Sequence, residues 1–426
     1  MPRLRDGRGL KLCLSLGTVL LFSLAILSAS ERATTWVLAP FVRPPNAQPI
    51  IAPKKDSIFQ QPGAAAVHWE ILHTFNPAAI VRAGKIYVLY RAEDDSGEMK
   101  IGGHTSRIGL AQSEDGIHFI RDAQPVLYPA DDDQEAREAQ GGCEDPRIVE
   151  AEDGSYVMTY TQWNHKTFDA AIATSTDLRT WTKHGPAFAK AFGGKYRDLQ
   201  YKSAGIVTRL VDNRLVAARI SGKYWMYWGE GEIHLATSQN LIAWDPLEDS
   251  PGHPKVVLAR RKSLFDSKFP EVGPPPVLTP RGIVVIYNGK NADTDRDTSL
   301  APGTYSAGEA LFSETDPTHL LGRLDQPVLK PELPFERSGQ YVAGTTFAEG
   351  LVYFKQKWFL YYGSADSLVG VALGAYPGWV AGSAPEALDC VMPGRGRCMH
   401  RSRPEVTDVT FNPFQITDLG LLNATK

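Results

Sequence analysis

Cysteine is scarce, with four in 426 residues. Cys13 falls in an apolar leader. Cys390 and Cys398 bracket "VMPGRGR", a Gly/Pro loop that a disulfide would close in an oxidising compartment. Cys143 reads as a small buried hydrophobe. No Cys/His cluster has the ligand spacing of a zinc site, so neither metal nor cofactor is expected. Charge of one sign is also lacking: the formal net charge is −3, which excludes a nucleic-acid or other polyanion surface. A 3.6-residue apolar period kept over three turns is almost absent, which excludes a helical architecture.

What is abundant is apolar and aromatic. Hydrophobic residues make up 43% of the chain, ample for a large core, and nine Trp and sixteen Tyr suit a β-rich interior or a surface that stacks on sugars. Residues 1–30 run from a basic start through "LCLSLGTVLLFSLAILSA" to "SERATT". This is the layout of a signal peptide, or of an uncleaved anchor tethering the protein to a membrane. The remainder is then expected outside the cytoplasm, secreted, periplasmic or tethered facing outward. Residues 31–60 are Pro-rich and read as a linker. Residues 61–380 are assigned to one catalytic domain and 381–426 to an extension packing on it.

A phrase recurs along that domain: "RIGLAQSEDGIHF", "DAAIATSTDLRTW", "GEIHLATSQNLIAW", "GEALFSETDPTHL" and "LVGVALG". Each is a short apolar strand, usually followed by a polar turn, at roughly 60–75-residue spacing, the period of a four-stranded unit. Alternating strands such as "KIYVLYRA" and "KWFLYYGSA" lie between. Five such units predict an all-β, five-bladed β-propeller with its site at the central funnel. A two-sheet sandwich is the competing architecture.

One stretch carries chemistry: "GGCEDPRIVE" sets Glu144 and Asp145 against Pro146 just before a strand. A solvated turn would account for it, and so would a carboxylic acid aimed into a pocket. The context favours the second. "TFNPAAIV", "YRAEDD", "SRIGLAQSEDGIHF", "CEDPRI", "FPEVGPPP", "FAEGLVYF" and "YYGSADSLVGVA" occur in that order from about His73 to about Ala375. Together they resemble glycoside hydrolase family 130, the β-mannoside phosphorylases and β-mannosidases.

The resemblance implies a five-bladed propeller acting on β-mannosides with inversion, with Asp145 as general acid. In the phosphorylases that acid is thought to act through a sugar hydroxyl. It also implies a test of the nucleophile. Phosphorylases carry Lys, Arg and His on the phosphate. Here Lys202 matches, but Gly229 and Asn288 replace the other two and Glu230 stands beside the gap. "WMYWGE" and "YNG" resemble the hydrolytic branch, including enzymes of β-1,2-mannosides. Glu230 or Glu271 would then activate water as base. Asn76, Arg91, Arg107, Lys202, Asn288, Glu349 and Asp366 carry over as sugar ligands, though Arg107 and Glu349 stand equally as structural salt-bridge partners. Trp163 and Tyr305 either stack on a sugar or fill a blade. The expected partner is a β-mannoside oligosaccharide or glycan. A phosphorylase releasing mannose 1-phosphate and a non-catalytic glycan-binding propeller remain as rivals.

Overall fold

A computed structural model describes residues 36–375 apart from 62 and 64. The leader, Cys390, Cys398 and the 381–426 extension lie outside the described residues. Among those described, helix is confined to single turns, and the rest is strand and loop.

Four-stranded antiparallel units follow one another along the chain. Blade 1 is His73–Arg82, Lys85–Glu93, Ser106–Ser113 and Ile120–Arg121. Blade 2 is Gly142–Glu150, Tyr156–Trp163, Phe168–Ser175 and Thr182–Pro186. Blade 3 has a broken inner strand, Ala204–Ile206 then Thr208–Val211, and continues through Lys223–Trp228, Ile233–Ser238 and Asp245–Pro246. Blade 4 runs from Phe269–Val272 and Val277–Thr279 through Gly282–Lys290 and Tyr305–Phe312 to Leu320–Arg323. Blade 5 is Thr346–Phe354, Lys357–Ser364 and Leu368–Ala375.

Each blade is apolar on both faces, so neither face can be left to water. Ile86, Val88 and Tyr90 alternate with Tyr87 and Leu89 along one strand; the first set packs toward blade 5, the second toward blade 2. Five buried clusters result, one at every blade–blade junction, including blade 5 against blade 1. The ring is therefore closed, and the fold is a five-bladed β-propeller.

The recurring phrase has a hydrogen-bond explanation. Ser113 Oγ accepts from the backbone N–H groups of Asp115 and Gly116, and Asp115 Oδ1 accepts from those of Ile117 and His118. Ser175 with Asp177, and Ser238 with Asn240, repeat the arrangement. These side chains satisfy backbone groups where the third strand of each blade ends. In blades 2 and 3 an indole closes the turn: Trp181 Nε1 donates to the Leu178 carbonyl and Trp244 Nε1 to that of Leu241.

The linker expected over 31–60 is corrected by the structure. Trp36, Leu38, Ala39, Phe41, Ile51 and Phe59 are buried, and Phe41–Val42 pairs with Gly374 and Leu373 as the outer strand of blade 5. Leu38 N–H donates to the buried Glu309 Oε2 at 3.0 Å. Its prolines, Pro40, Pro44, Pro45, Pro49 and Pro53, flank the paired residues rather than interrupt them. The first described residues thus latch the last blade. Leu38→Ala is expected to cost about 2–5 kcal/mol of unfolding free energy in denaturant titration; a true linker would change it by less than about 0.5 kcal/mol.

Candidate active site

The innermost strands converge on a pocket that all five blades line. Two X-Pro bulges aim the decisive side chains into it. The acidic pair does not precede a strand as a turn; it sits inside the inner strand of blade 2, where the register shifts between Glu144 and Arg147. Asp145 takes a left-handed φ of 49°, and Asn76 does the same at φ 47° in the matching bulge of blade 1. A bulge of this kind turns a side chain away from the sheet face.

Asp145 is held by Asn76 Nδ2, which donates to Oδ1 at 2.8 Å, and by Arg91 Nη1 at 3.2 Å. Arg91 also reaches Glu144 at 2.7 Å and Glu93 at 2.6 Å, over the Phe75 ring. Burial works to raise the Asp145 carboxyl, but Arg91, Lys202 and the Asn76 hydrogen bond outweigh it and hold it below the ordinary carboxylate range. Burial and the Asp145 charge push neighbouring Glu144 up to about 7, against Arg91. The proton of the pair therefore rests on Glu144 near neutrality.

Across the pocket, Glu230 and Glu271 face one another through a β-bridge. Lys202 Nζ lies 3.2 Å from Glu230 and 4.0 Å from Glu271. Ser203 Oγ donates to Glu271 at 2.5 Å. Burial raises Glu271 to about 7, aided by Glu230 and opposed by Lys202. Burial likewise lifts Asp366 to about 6. Trp163 and Tyr305 line the wall; the Trp163 indole is pinned to the Gly102 carbonyl.

Asp145, Glu230, Glu271, Asn76, Arg91, Lys202, Asp366, Trp163 and Tyr305 are thus brought together. Three expected ligands are not. Arg107 lies away from the pocket lining, paired with buried Asp94 at 2.5 Å. Asn288 is fully buried: its Nδ2 donates to the Ala348 carbonyl and its Oδ1 accepts the Ala348 N–H, so the amide ties blade 4 to blade 5. Glu349 sits beneath the pocket, 2.9 Å from Arg147. Conversely, Glu93, Glu144, Lys290, Gln340 and Tyr341 line the pocket without having been anticipated. Glu144 had a signal in its place beside Asp145. Lys290 enters where the strand carrying "YNG" ends, and Gln340 and Tyr341 come from a loop with no motif.

Paired carboxylates, an amide, a guanidinium and aromatic rings around one axial pocket define a glycoside-processing propeller. Residues 52–376 match the family model described as beta-1,4-mannooligosaccharide phosphorylase. The chain belongs to glycoside hydrolase family 130 and is an enzyme acting on β-mannosides. A 1,2-beta-oligomannan phosphorylase of Thermoanaerobacter sp. is 31% identical over 76% of this chain and 94% of its own. A beta-1,2-mannobiose phosphorylase of the same organism is 29% identical over the same shares. Among solved structures, a glycosyl hydrolase from Bacteroides ovatus aligns with TM-score 0.78 at 50% identity, covering 80% of this chain and 95% of that one. Another, with the same score, identity and coverage, is described under family-130 glycoside hydrolases that target beta-1,2 mannosidic linkages in Candida mannan.

Arg107→Ala is expected to leave buried Asp94 unpaired and to cost about 3–5 kcal/mol of stability, with KM for a β-mannoside unchanged. Denaturant titration beside steady-state kinetics checks it. A raised KM at unaltered stability would put Arg107 back in the sugar site.

Proposed function

We propose that the chain is an exported, inverting hydrolase of β-mannosides, with β-1,2-linked mannose the favoured substrate. The observation that carries this is the state of Lys202. It is the one cation of the phosphorylase pattern retained here, and two carboxylates, Glu230 and Glu271, already neutralise it. The other two positions are closed. Asn288 is consumed by the Ala348 backbone. Gly229 has φ 120°, and a Cβ there would stand 2.3 Å from the Glu232 carbonyl oxygen.

The pocket's balance supports water over phosphate. Six carboxylates (Glu93, Glu144, Asp145, Glu230, Glu271, Asp366) face three cations (Arg91, Lys202, Lys290). A phosphate dianion would be desolvated among like charges, at a cost of several kcal/mol. Water meets no such cost. Glu271, held by Ser203, is the better-placed base, with Glu230 the nearer carboxylate to Lys202. Asp145 serves the leaving oxygen, and because Arg91 and Lys202 hold it ionised in the free enzyme, its proton comes from neighbouring Glu144, the other pocket carboxyl on Arg91. The 50%-identical structure described with β-1,2-mannoside hydrolases supports the linkage. Lys290, which makes no ion pair among the described residues, and the phosphorylase names of the curated relatives favour phosphorolysis as the second reading.

Mannobiose incubated with and without phosphate decides between them. Free mannose of inverted anomeric configuration is expected at a rate indifferent to phosphate; mannose 1-phosphate as main product would establish phosphorolysis. Asp145→Asn is expected to lower turnover of the natural linkage by about 10²–10⁴-fold, with partial recovery on an activated aryl mannoside. The pH profile should be narrow. The base works only when ionised, so the rate falls as pH drops below about 7, the Glu271 value. The acid works only while Glu144 holds the proton it passes on, so the rate falls again as pH rises past about 7, the Glu144 value. Glu271→Gln should remove the acid-side limb along with most activity, whereas loss of the limb in Glu230→Gln alone would exchange the two roles.

A further inference from the structure

We propose that His73, Glu93 and His104 form a binding site for a divalent transition-metal ion of the zinc class. The positions match no ligand-spacing motif; the sheet assembles them. His73 and Glu93 stand opposite each other on the first two strands of blade 1. Glu93 stands opposite Ser106 on the third strand, and His104 lies just before that strand begins. One ring nitrogen from each histidine and a carboxylate oxygen of Glu93 lie within 4.8 Å of one another. Glu93 and His104 are almost wholly buried and His73 is half-buried.

The hydrogen bonds around the cluster leave its donor atoms available. His104 Nδ1 is 2.9 Å from the Ser96 carbonyl oxygen, which can only accept. That nitrogen therefore carries the proton, and the lone pair of the neutral ring is on Nε2. His73 Nδ1 stands 3.0 Å from Ser367 Oγ, a hydroxyl that can either donate or accept; with Nδ1 donating to it, the lone pair of that ring is on Nε2 too. An oxygen partner on the distal nitrogen is the arrangement that orients metal-bound imidazole. Arg91 donates to Glu93 Oε1 at 2.6 Å and Gln340 to Oε2 at 3.2 Å, which fixes the carboxylate plane. Each of its oxygens keeps a second lone pair. Arg91 is the cation closest to Glu93, and it is shared with Glu144 and Asp145, so carboxylates outnumber it.

Two imidazoles and one carboxylate suit zinc, at donor distances of about 2.0–2.2 Å, and small side-chain rotations would bring the three donors onto one ion. A tetrahedral ion would keep one position for water or a sugar hydroxyl. Ser367 and Gln340 belong to blade 5 and the segment leading into it, and Glu93 and Gln340 both line the pocket. The ion would thus brace the seam between the last and first blades at the pocket wall, whether the nucleophile is water or phosphate.

The test is metal binding by the full chain, stripped with chelator and titrated with Zn²⁺ or Co²⁺. One equivalent of Zn²⁺ and visible Co²⁺ absorption of a site with nitrogen ligands are expected, together with a raised Tm. His104→Gln should weaken Zn²⁺ binding by more than about tenfold, as should Ser367→Ala through His73; His118→Gln, on an exposed turn, should not. Should the variants fail to fold, wild-type crystals soaked in Zn²⁺ give the answer through anomalous scattering at the zinc edge. A peak between His73, Glu93 and His104 supports the site. No stoichiometric binding, binding untouched by His104→Gln, or anomalous peaks only elsewhere would overturn it.

Discussion

A guanidinium buried near the propeller axis holds the inner strands together. Arg147 is 2% exposed in its side chain, and it touches no solvent-facing acid. Nε and Nη2 donate to the carbonyls of Gly273 and Val272 in blade 4, Nη1 to the carbonyl of Asp145 in blade 2, and Glu349 of blade 5 supplies the counter-charge. Removing one partner of such a pair strands the other charge in a medium that cannot solvate it, at a cost of about 3–5 kcal/mol. One side chain therefore fixes the relative positions of three blades and the backbone of Asp145. Burial raises the Glu349 carboxyl well above the ordinary range, against the pull of Arg147, which marks how dry the axis is beneath the pocket.

Above that tie, the pocket works by contrast. On one wall Arg91 collects Glu93, Glu144 and Asp145; on the other Lys202 collects Glu230 and Glu271. Each cation is outnumbered, so each wall keeps carboxyls whose protonation burial can shift. Two groups of buried carboxyls lining one pocket are the material that acid–base cleavage of a glycosidic bond requires. Each blade provides only a residue or two to this layout, which is why it needs the ring to close.

Closure itself depends on elements of opposite legibility. The repeat could be read because its Ser-x-Asp and Ser-x-Asn turns are local: side chain and backbone partners lie within three residues. The ordered motifs could be read because inner strands recur in chain order around a ring. The latch at Phe41–Val42 could not, since its partners lie more than 300 residues away and its prolines resemble those of a linker. Arg107 and Asp366 are both polar residues of family motifs, yet only Asp366 reaches the pocket. Arg107 sits within the third strand of blade 1, where it pairs with Asp94, whereas Asp366 sits at φ 49° in the turn that joins Lys357–Ser364 to Leu368–Ala375.

By itself the sequence determined the strand periodicity, the five-fold repeat, the family and the acidic pair at Asp145, all consequences of short-range pattern. Tertiary structure alone decided the rest. It spent the Asn288 amide on Ala348, wedged Lys202 between Glu230 and Glu271, moved Glu349 under the floor with Arg147, and set His73 beside Glu93 and His104. Those outcomes depend on distances between blades, and burial then sets the charge each group carries. Neither spacing along the chain nor residue type encodes a dielectric environment, which exists only once five sheets have excluded water from their common axis.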